Sequence, residues 1–483
     1  MKAILLYVVT PFIAFYGATG EASWQKYESE NFIVYSDNST EICLKKIKEF
    51  ERFRLALHSL LDIEESVNKV PFEIYLFKSR SELRKFTSRR SVAGYYRDRL
   101  GSPLMVVGPE GGNIIFFHEY VHFLTYRLGS FSYPWWYVEG MAEFYSTMEF
   151  KGTKAIVGGV PDLRRDWLRH TRLTFLSELL EPGESLGGRK DVGRFYATSW
   201  LLTHRLLLGY ANGMKDLSEP FKEYLLRYTK GDGSADVFFE LMQMTAKEMH
   251  NELRSYTTKK KFNALSMDAP YAVPDVKVFS LSETAALNIK VRLALASDGA
   301  ELAKKMLEKN ARLHDSESRA ALVMLTLSSS DPIGAGEKEI EALIEEQNLS
   351  GTAHGYLGHA LFELAEKKAH DQSVLLSEAI RHLEEARSQG ALFGKSDVMV
   401  KVYWDLVRKK SALEEIERIL TLNPASIEAN LLAGEYSMLA GLHDDASYFL
   451  KNVISWAHEE DTRNRARKLL AQLREASSQL DEA

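Results

Sequence analysis

Residues 118–122 read His-Glu-Tyr-Val-His and put two imidazoles and a carboxylate within about one turn of a predicted helix. Side chains four residues apart share a helix face, so His118 and His122 can converge on one metal ion. Zinc accepts imidazole nitrogens, and a catalytic zinc site keeps one position for water. Glu119 is turned by about 100 degrees from His118 and could take a proton from that water. The alternative is a hydrogen-bonded histidine pair without metal.

A second acidic motif follows in the segment WWYVEGMAEFY. Glu139 and Glu143 are four residues apart, so one carboxylate can ligate a metal while the other orients a ligand imidazole. Gly140 and Ala142 leave room for another helix to approach closely. An exposed acidic helix face is the alternative. Because unpaired charge is costly in so apolar a segment, the two motifs together favour a zinc site.

The two motifs together resemble the gluzincin metallopeptidases, and more closely the peptidase-MA-like domains of bacterial secreted proteins. This resemblance implies that His118, His122 and Glu139 hold Zn2+ and that Glu119 is the general base. It also implies that Glu143 holds His118 by a hydrogen bond. Sixteen residues separate His122 from Glu139, fewer than in the better-known relatives, so Glu143 is the alternative third ligand.

An oxyanion donor should complete such a site. The relatives often contribute a Tyr or His from a helix that follows the ligand helices. Tyr196, in the segment FYATSWLLTHRLL, is therefore the candidate, and an aromatic core position is its alternative. His170 and His204 are weaker candidates for the same role.

The elements that must position these residues are those of an α+β domain over residues 23–262. Alternating patterns predict strands at NFIVYS and PFEIYLF, and apolar residues at helical spacing predict a helix over 40–61. Two further strand candidates, AGYYRD and PLMVVG, precede the helix with the two histidines. The resemblance implies a thermolysin-like zincin fold, with a small sheet and helices.

Residues 263–281 contain Pro270 and Pro274 and have little periodicity, which predicts a linker between domains. Residues 282–478 are helical in pattern throughout. A chain of 483 residues with 45% apolar residues is long enough for two cores or three.

The second domain repeats. Ala379, Ala412 and Ala446 recur at intervals of 33 and 34 residues, and Gly434 lies twelve residues before Ala446. This pattern, with Pro424 after a helix, resembles the tetratricopeptide repeat and implies an all-α helical-repeat (TPR-like) domain. Generic helix packing by alanine is the alternative. Such repeats present a concave surface for a protein or peptide, so a protein partner is expected there.

The net charge of −6, from 61 basic and 67 acidic residues, gives no basic field for nucleic acid, which is excluded as an expected partner. Cys43 is the single cysteine, so neither an intramolecular disulfide nor a cysteine-based zinc knuckle can form. A buried apolar position is its predicted role.

Residues 1–22 have a positively charged start, an apolar run and small residues at signal-peptidase spacing. They predict a signal peptide and a periplasmic or secreted bacterial protein. A membrane anchor is the alternative, but the apolar run is shorter than the ~20 residues that span a bilayer, so no stable membrane span is expected after cleavage.

The sequence thus predicts zinc-dependent hydrolysis of a peptide bond in an extracytoplasmic protein or peptide, with the repeats recruiting substrate or partner. Two other classes stay open. In one, the zinc domain is catalytically idle and the chain is a binding or assembly factor. In the other, the chain is a scaffold without metal.

Overall fold

The computed structural model describes residues 24–64, 72–87, 93–97, 103–109, 111–128, 133–170, 172–180, 192–230, 232–259, 262–269, 271, 273–329, 333–391, 396–457 and 460–481. The predicted signal peptide, residues 1–22, lies outside them. The described chain is a mixed α/β protein, mostly helical, with two small sheets. Among its helices none is both long and apolar enough to cross a membrane.

The strands of the described chain are β1 (Gln25–Glu28), β2 (Phe32–Ser36), β3 (Phe72–Leu76), β4 (Gly94–Arg97), β5 (Leu104–Val107), β6 (Glu149–Lys151), β7 (Lys154–Val157), β8 (Leu265–Asp268) and β9 (Lys277–Ser280). The larger sheet has the order β4-β5-β3-β2-β1-β9, and the smaller one β6-β7-β8. Strands β2, β3 and β5 run parallel, whereas β1, β4 and β9 are antiparallel to their neighbours. The four strands predicted before the histidine helix correspond to β2, β3, β4 and β5.

The larger sheet separates two hydrophobic cores. Because successive side chains of a strand point to opposite faces, β3 contributes to both. Phe72 and Ile74 belong to the core on one face, and Tyr75 and the following Phe77 to the core on the other. The sheet is therefore covered on both sides.

The first face of the larger sheet is covered by helices that come before β8 in the chain. They are α1 (Thr40–Leu61), α3 (Gly112–Leu128), α4 (Trp135–Ser146), α5 (Asp162–His170), α6 (Leu176–Leu180), α7 (Val192–Leu208), α8 (Ser218–Thr229), α9 (Ala235–Met242) and α10 (Ala246–Thr257). Of these, α1 and α3 pack against the sheet, and α4 and α7 pack behind α3. The short helix α2 (Arg80–Leu83) lies on the other face, since its Leu83 belongs to the second core. Cys43 is buried in α1, as predicted.

The remaining helices form an array, which we call the helical array: α11 (Glu283–Ala296), α12 (Ala300–Lys309), α13 (Ser316–Leu327), α14 (Ile333–Glu345), α15 (Gly351–Lys367), α16 (Gln372–Ser388), α17 (Ser396–Asp405), α18 (Lys409–Leu422), α19 (Ile427–Leu439), α20 (His443–Trp456) and α21 (Glu460–Asp481). Consecutive helices pack in pairs. Ala379, Ala412 and Ala446 are fully buried in the second helix of three pairs. A Cβ on Gly434 would lie 2.7 Å from Leu450, so α19 and α20 can approach only where a side chain is missing.

The segment predicted as a linker, residues 263–281, contains strands in both sheets. Strand β8 pairs with β7, and β9 pairs with β1 at the edge of the larger sheet. The helical array follows directly and packs on the second face of that sheet. Arg292 of α11 lies 3.0 Å from the Tyr35 hydroxyl and 3.7 Å from the Glu73 carboxylate, which ties the array to β2 and β3.

Candidate metal centre

Helix α3 turns its apolar face to α1 and the sheet. Phe117 stacks on Phe53 with ring centroids 3.8 Å apart and an angle of 6° between the planes. Val121, one turn later, is also buried. Because this face is fixed against the core, His118 and His122 point towards α4, and their ring centroids lie 4.8 Å apart.

Helix α4 brings its carboxylates up to these histidines through a close contact with α7. A Cβ on Gly140 would lie 2.1 Å from the hydroxyl oxygen of Thr203 and 2.7 Å from the carbonyl oxygen of Ser199. Trp136, near the start of α4, is almost fully buried and packs against Phe221 of α8. The prediction that Gly140 permits close helix packing is confirmed.

Three donor atoms meet at the centre of the site. Nε2 of His118 and Nε2 of His122 are 3.1 Å apart, and Oε2 of Glu139 lies 3.4 Å from each. Ligands at zinc-bond lengths around a tetrahedral ion are separated by about 3.3 to 3.4 Å. The edges of this donor triangle are thus close to the spacing of metal ligands, and the short connection between α3 and α4 leaves Glu139 within reach.

The donor triangle also fits a cation in its chemistry. Oε2 of Glu139 is buried and accepts no hydrogen bond of regular geometry from the described residues, although Trp135 Nε1 donates to the other oxygen at 3.4 Å. A buried carboxylate oxygen without a hydrogen bond costs free energy, and a metal ion between it and the two imidazole nitrogens would supply the missing interaction. His118, His122 and Glu139 can together hold such an ion.

The electrostatics of the triangle favour positive charge between its members. Burial lowers the pKa of His118, but the contact with Glu139 and the charges of Glu143 and Glu119 outweigh burial and raise the pKa to about 9. Burial raises the pKa of Glu139, but the charges of His122 and His118 hold it well below its usual range. A cation at the imidazole nitrogens is thus surrounded by carboxylates.

Glu119 lies beside the triangle, as its predicted rotation on the helix requires. The backbone N–H of Tyr96, in edge strand β4, donates to Oε2 of Glu119 at 3.2 Å. Burial raises the pKa of Glu119, and the charges of His118 and His122 offset this only in part. A carboxylate with a raised pKa is suited to accept and return a proton near neutral pH.

Glu143 lies behind the triangle. Its Oε1 is 3.6 Å from Nδ1 of His118, the ring nitrogen that faces away from the donor triangle. Arg164 of α5 donates two hydrogen bonds to the same carboxylate, from Nε to Oε2 at 3.0 Å and from Nη2 to Oε1 at 2.6 Å. The structure therefore places Glu139 in the triangle and Glu143 behind it, with the Glu143 carboxylate just beyond hydrogen-bond distance of His118, so the hydrogen bond that the resemblance implies is not formed.

Tyr196 lies at the same site, on α7. Its ring centroid is 6.3 Å from that of His118, and the Arg164 guanidinium lies 4.8 Å from it. The negative charge of Glu139, together with burial, raises the pKa of Tyr196 well above its ordinary value, so its hydroxyl keeps its proton.

The two weaker candidates lie elsewhere. His170 is exposed at the end of α5. His204 is fully buried in the core, where Nδ1 is 2.8 Å from the Tyr256 hydroxyl and Nε2 is 3.0 Å from the Gly158 carbonyl oxygen. Burial lowers the pKa of His204 to about 4, and the contact with Gly158 offsets this only in part.

The free energy of unfolding is therefore expected to fall as the pH is lowered from 6.5 to about 4. In this range the unfolded chain binds a proton at His204 and the folded chain does not, so acid favours unfolding, by about 3 kcal/mol over the whole range. Chemical denaturation at several pH values measures the effect. His204→Gln should reduce the dependence and leave the part contributed by His382, whose pKa burial also lowers to about 4, whereas His170→Gln, at an exposed histidine, should leave it unchanged. Equal pH dependence in wild type and His204→Gln would contradict the assignment.

Two contacts of the site have no signature in the sequence. Arg164 lies 21 residues after Glu143 on a separate helix, and Tyr96 acts through a backbone N–H that almost any residue would provide.

The sequence matches no protein-family model and no curated protein. What the site does must therefore follow from the residues that form it.

Proposed function

We propose that this protein is a zinc-dependent peptidase of the gluzincin type, with a peptidase-MA-like catalytic domain. The observation that carries the proposal is the donor triangle of His118, His122 and Glu139, with edges of 3.1, 3.4 and 3.4 Å. Structural zinc sites usually use four protein ligands, whereas catalytic sites use three and keep a position for water. Glu119, held beside the triangle by Tyr96, supplies the separate base that hydrolysis needs.

Each residue of the candidate site would have a separate role in hydrolysis. A zinc ion bound by the triangle would lower the pKa of a water molecule and polarise the scissile carbonyl group. Glu119 would take the proton of that water and deliver it to the leaving amine. Because Tyr196 keeps its proton, its hydroxyl could donate to the oxyanion. Glu143 and Arg164 would hold His118 in its ligating orientation.

The surrounding fold supports the same proposal. A small sheet with an antiparallel edge strand, followed by two packed helices that carry the ligands, is compatible with a thermolysin-like catalytic domain. In the helical array, paired helices with small residues at their crossings support TPR-like repeats. We propose that these repeats recruit a protein or peptide, as substrate or partner, outside the cytoplasm.

Metal analysis and a peptide library test the proposal. The purified protein should contain about one zinc ion per chain, as catalytic sites of this ligand set do. A chelator should stop hydrolysis of the library, and added zinc should restore it. Less than about a tenth of an equivalent of zinc would contradict the ligand assignment. Zinc at full occupancy without hydrolysis would favour the idle binding or assembly factor instead.

A further inference from the structure

Strand β4 lies between the candidate site and the helical array. Within the part of the chain that the structure describes, it is an edge strand that pairs with β5 alone. Its side chains alternate between the faces, so Tyr96 packs near Phe72 and Phe123, 5.8 and 6.4 Å between ring centroids, on the side of α3. Tyr95 and Arg97 point to the opposite side, where the helical array lies.

One turn of the array meets both of these residues. Ser297 and Asp298 form the turn between α11 and α12, and Asp298 has a left-handed backbone with φ of 59°. The Tyr95 hydroxyl lies 2.8 Å from the Ser297 hydroxyl. Arg97 Nη2 lies 3.5 Å from the Asp298 carboxylate. Successive residues of the turn thus hold alternate residues of the strand.

The two contacts differ in strength. Arg97 and Asp298 are exposed, so solvent screens their attraction and the pair contributes little. The Tyr95 hydroxyl is partly buried, and it also donates to the carbonyl oxygen of Phe86 at 2.9 Å. Tyr95 and Ser297 therefore form the stronger of the two connections.

These contacts affect the position of Glu119, the proposed general base, because β4 is only four residues long. A short edge strand with one paired neighbour opens easily, so its position depends on the side-chain contacts that fix it. The backbone N–H of Tyr96, between the two anchored residues, is the group that donates to Glu119. Movement of the turn would consequently move the donor that orients Glu119.

We propose that the helical array positions the general base of the catalytic domain through the Ser297–Asp298 turn. The catalytic consequence rests on the proposed peptidase function, whereas the anchoring of β4 does not. Tyr95, Ser297 and Asp298 are positioning residues, because they act through Tyr96 on Glu119. A protein or peptide that shifts this turn when it binds the array would change kcat more than KM.

Three substitutions remove the contacts with little change in shape: Tyr95→Phe, Ser297→Ala and Asp298→Asn, since Asn tolerates a left-handed backbone. Tyr35→Phe is the matched control, because it removes a tyrosine hydroxyl that also meets the array, 3.0 Å from Arg292, but on the interior strand β2.

Hydrogen–deuterium exchange of residues 94–97 is the first readout. Ser297→Ala alone removes one hydrogen bond and leaves that of Tyr95 to Phe86, so it should exchange faster there by between about two- and tenfold. The triple variant should exchange at least as fast, and Tyr35→Phe should exchange as wild type does. Kinetics on a cleaved peptide is the second readout. In the triple variant kcat should fall by a similar factor, with KM and zinc content unchanged.

Unchanged exchange in the triple variant, or an equal increase in Tyr35→Phe, would overturn the anchoring. Faster exchange with unchanged kcat would overturn the positioning of Glu119. Faster exchange in a protein whose wild type binds zinc but cleaves nothing would support the anchoring and overturn the peptidase function, so the two failures are distinguishable.

Discussion

Replacing Glu119 with Gln is expected to abolish peptide hydrolysis while one zinc ion stays bound per chain. Gln has the same shape and can still accept the hydrogen bond from the Tyr96 N–H through its amide oxygen. It cannot take a proton from water, so the reaction loses its general base. We expect kcat to fall by about 10²- to 10⁴-fold. Zinc stoichiometry and steady-state kinetics on the same preparation measure both properties.

Glu149→Gln provides the control, because it makes the same chemical change at an exposed glutamate after α4. It should retain full activity and full zinc. A Glu119→Gln protein that cleaves as fast as wild type would show that another base or a contaminant carries the reaction. Loss of zinc from Glu119→Gln would instead place Glu119 among the ligands, in conflict with the donor triangle.

The centre of the candidate site could be predicted because it depends on the spacing of residues within single helices. A helix places residues i and i+4 on one face, so the positions of His118 and His122 fixed their convergence before any tertiary contact was known. The same rule linked Glu139 to Glu143, and Gly140 marked the face of α4 that meets α7. The order of the two carboxylates, one in the triangle and one behind it, followed from the resemblance and agrees with the distances.

What could not be predicted depends on residues far apart in the chain. The segment 263–281 has prolines and weak periodicity, yet two short strands form there because β1 and β7 offer unpaired edges. The alternation of Tyr75 with Ile74 shows that both faces of β3 are apolar, but not that the second face belongs to the helical array. The Tyr95–Ser297 contact spans 202 residues and has no motif.

Arg164 belongs to the same class of long-range contacts, and it has the second largest expected effect. Its Nε and Nη2 donate to the two oxygens of Glu143, and such paired, charge-assisted hydrogen bonds fix a carboxylate in one orientation. Oε1 of that carboxylate faces Nδ1 of His118. The guanidinium also lies 4.8 Å from the centroid of the Tyr196 ring. One side chain thus orients a predicted ligand and borders the predicted oxyanion donor.

Arg164→Ala is expected to weaken zinc binding and activity by about 10- to 100-fold, the range for losing an outer partner of a metal ligand. Without the guanidinium, Glu143 can rotate away from His118, which then loses its fixed ring orientation. Competition with a zinc chelator gives the affinity, and kinetics at saturating zinc separates the effect on Tyr196 from simple metal loss.

Arg165→Ala is the matched control for this prediction, because the neighbouring arginine of α5 is exposed and pairs only weakly with Asp162. It should keep both zinc affinity and activity. Arg164→Lys keeps the charge but cannot hold both carboxylate oxygens in the same way, so its effect should lie between wild type and Arg164→Ala. Equal zinc affinity in Arg164→Ala and Arg165→Ala would mean that Glu143 holds His118 without help from α5.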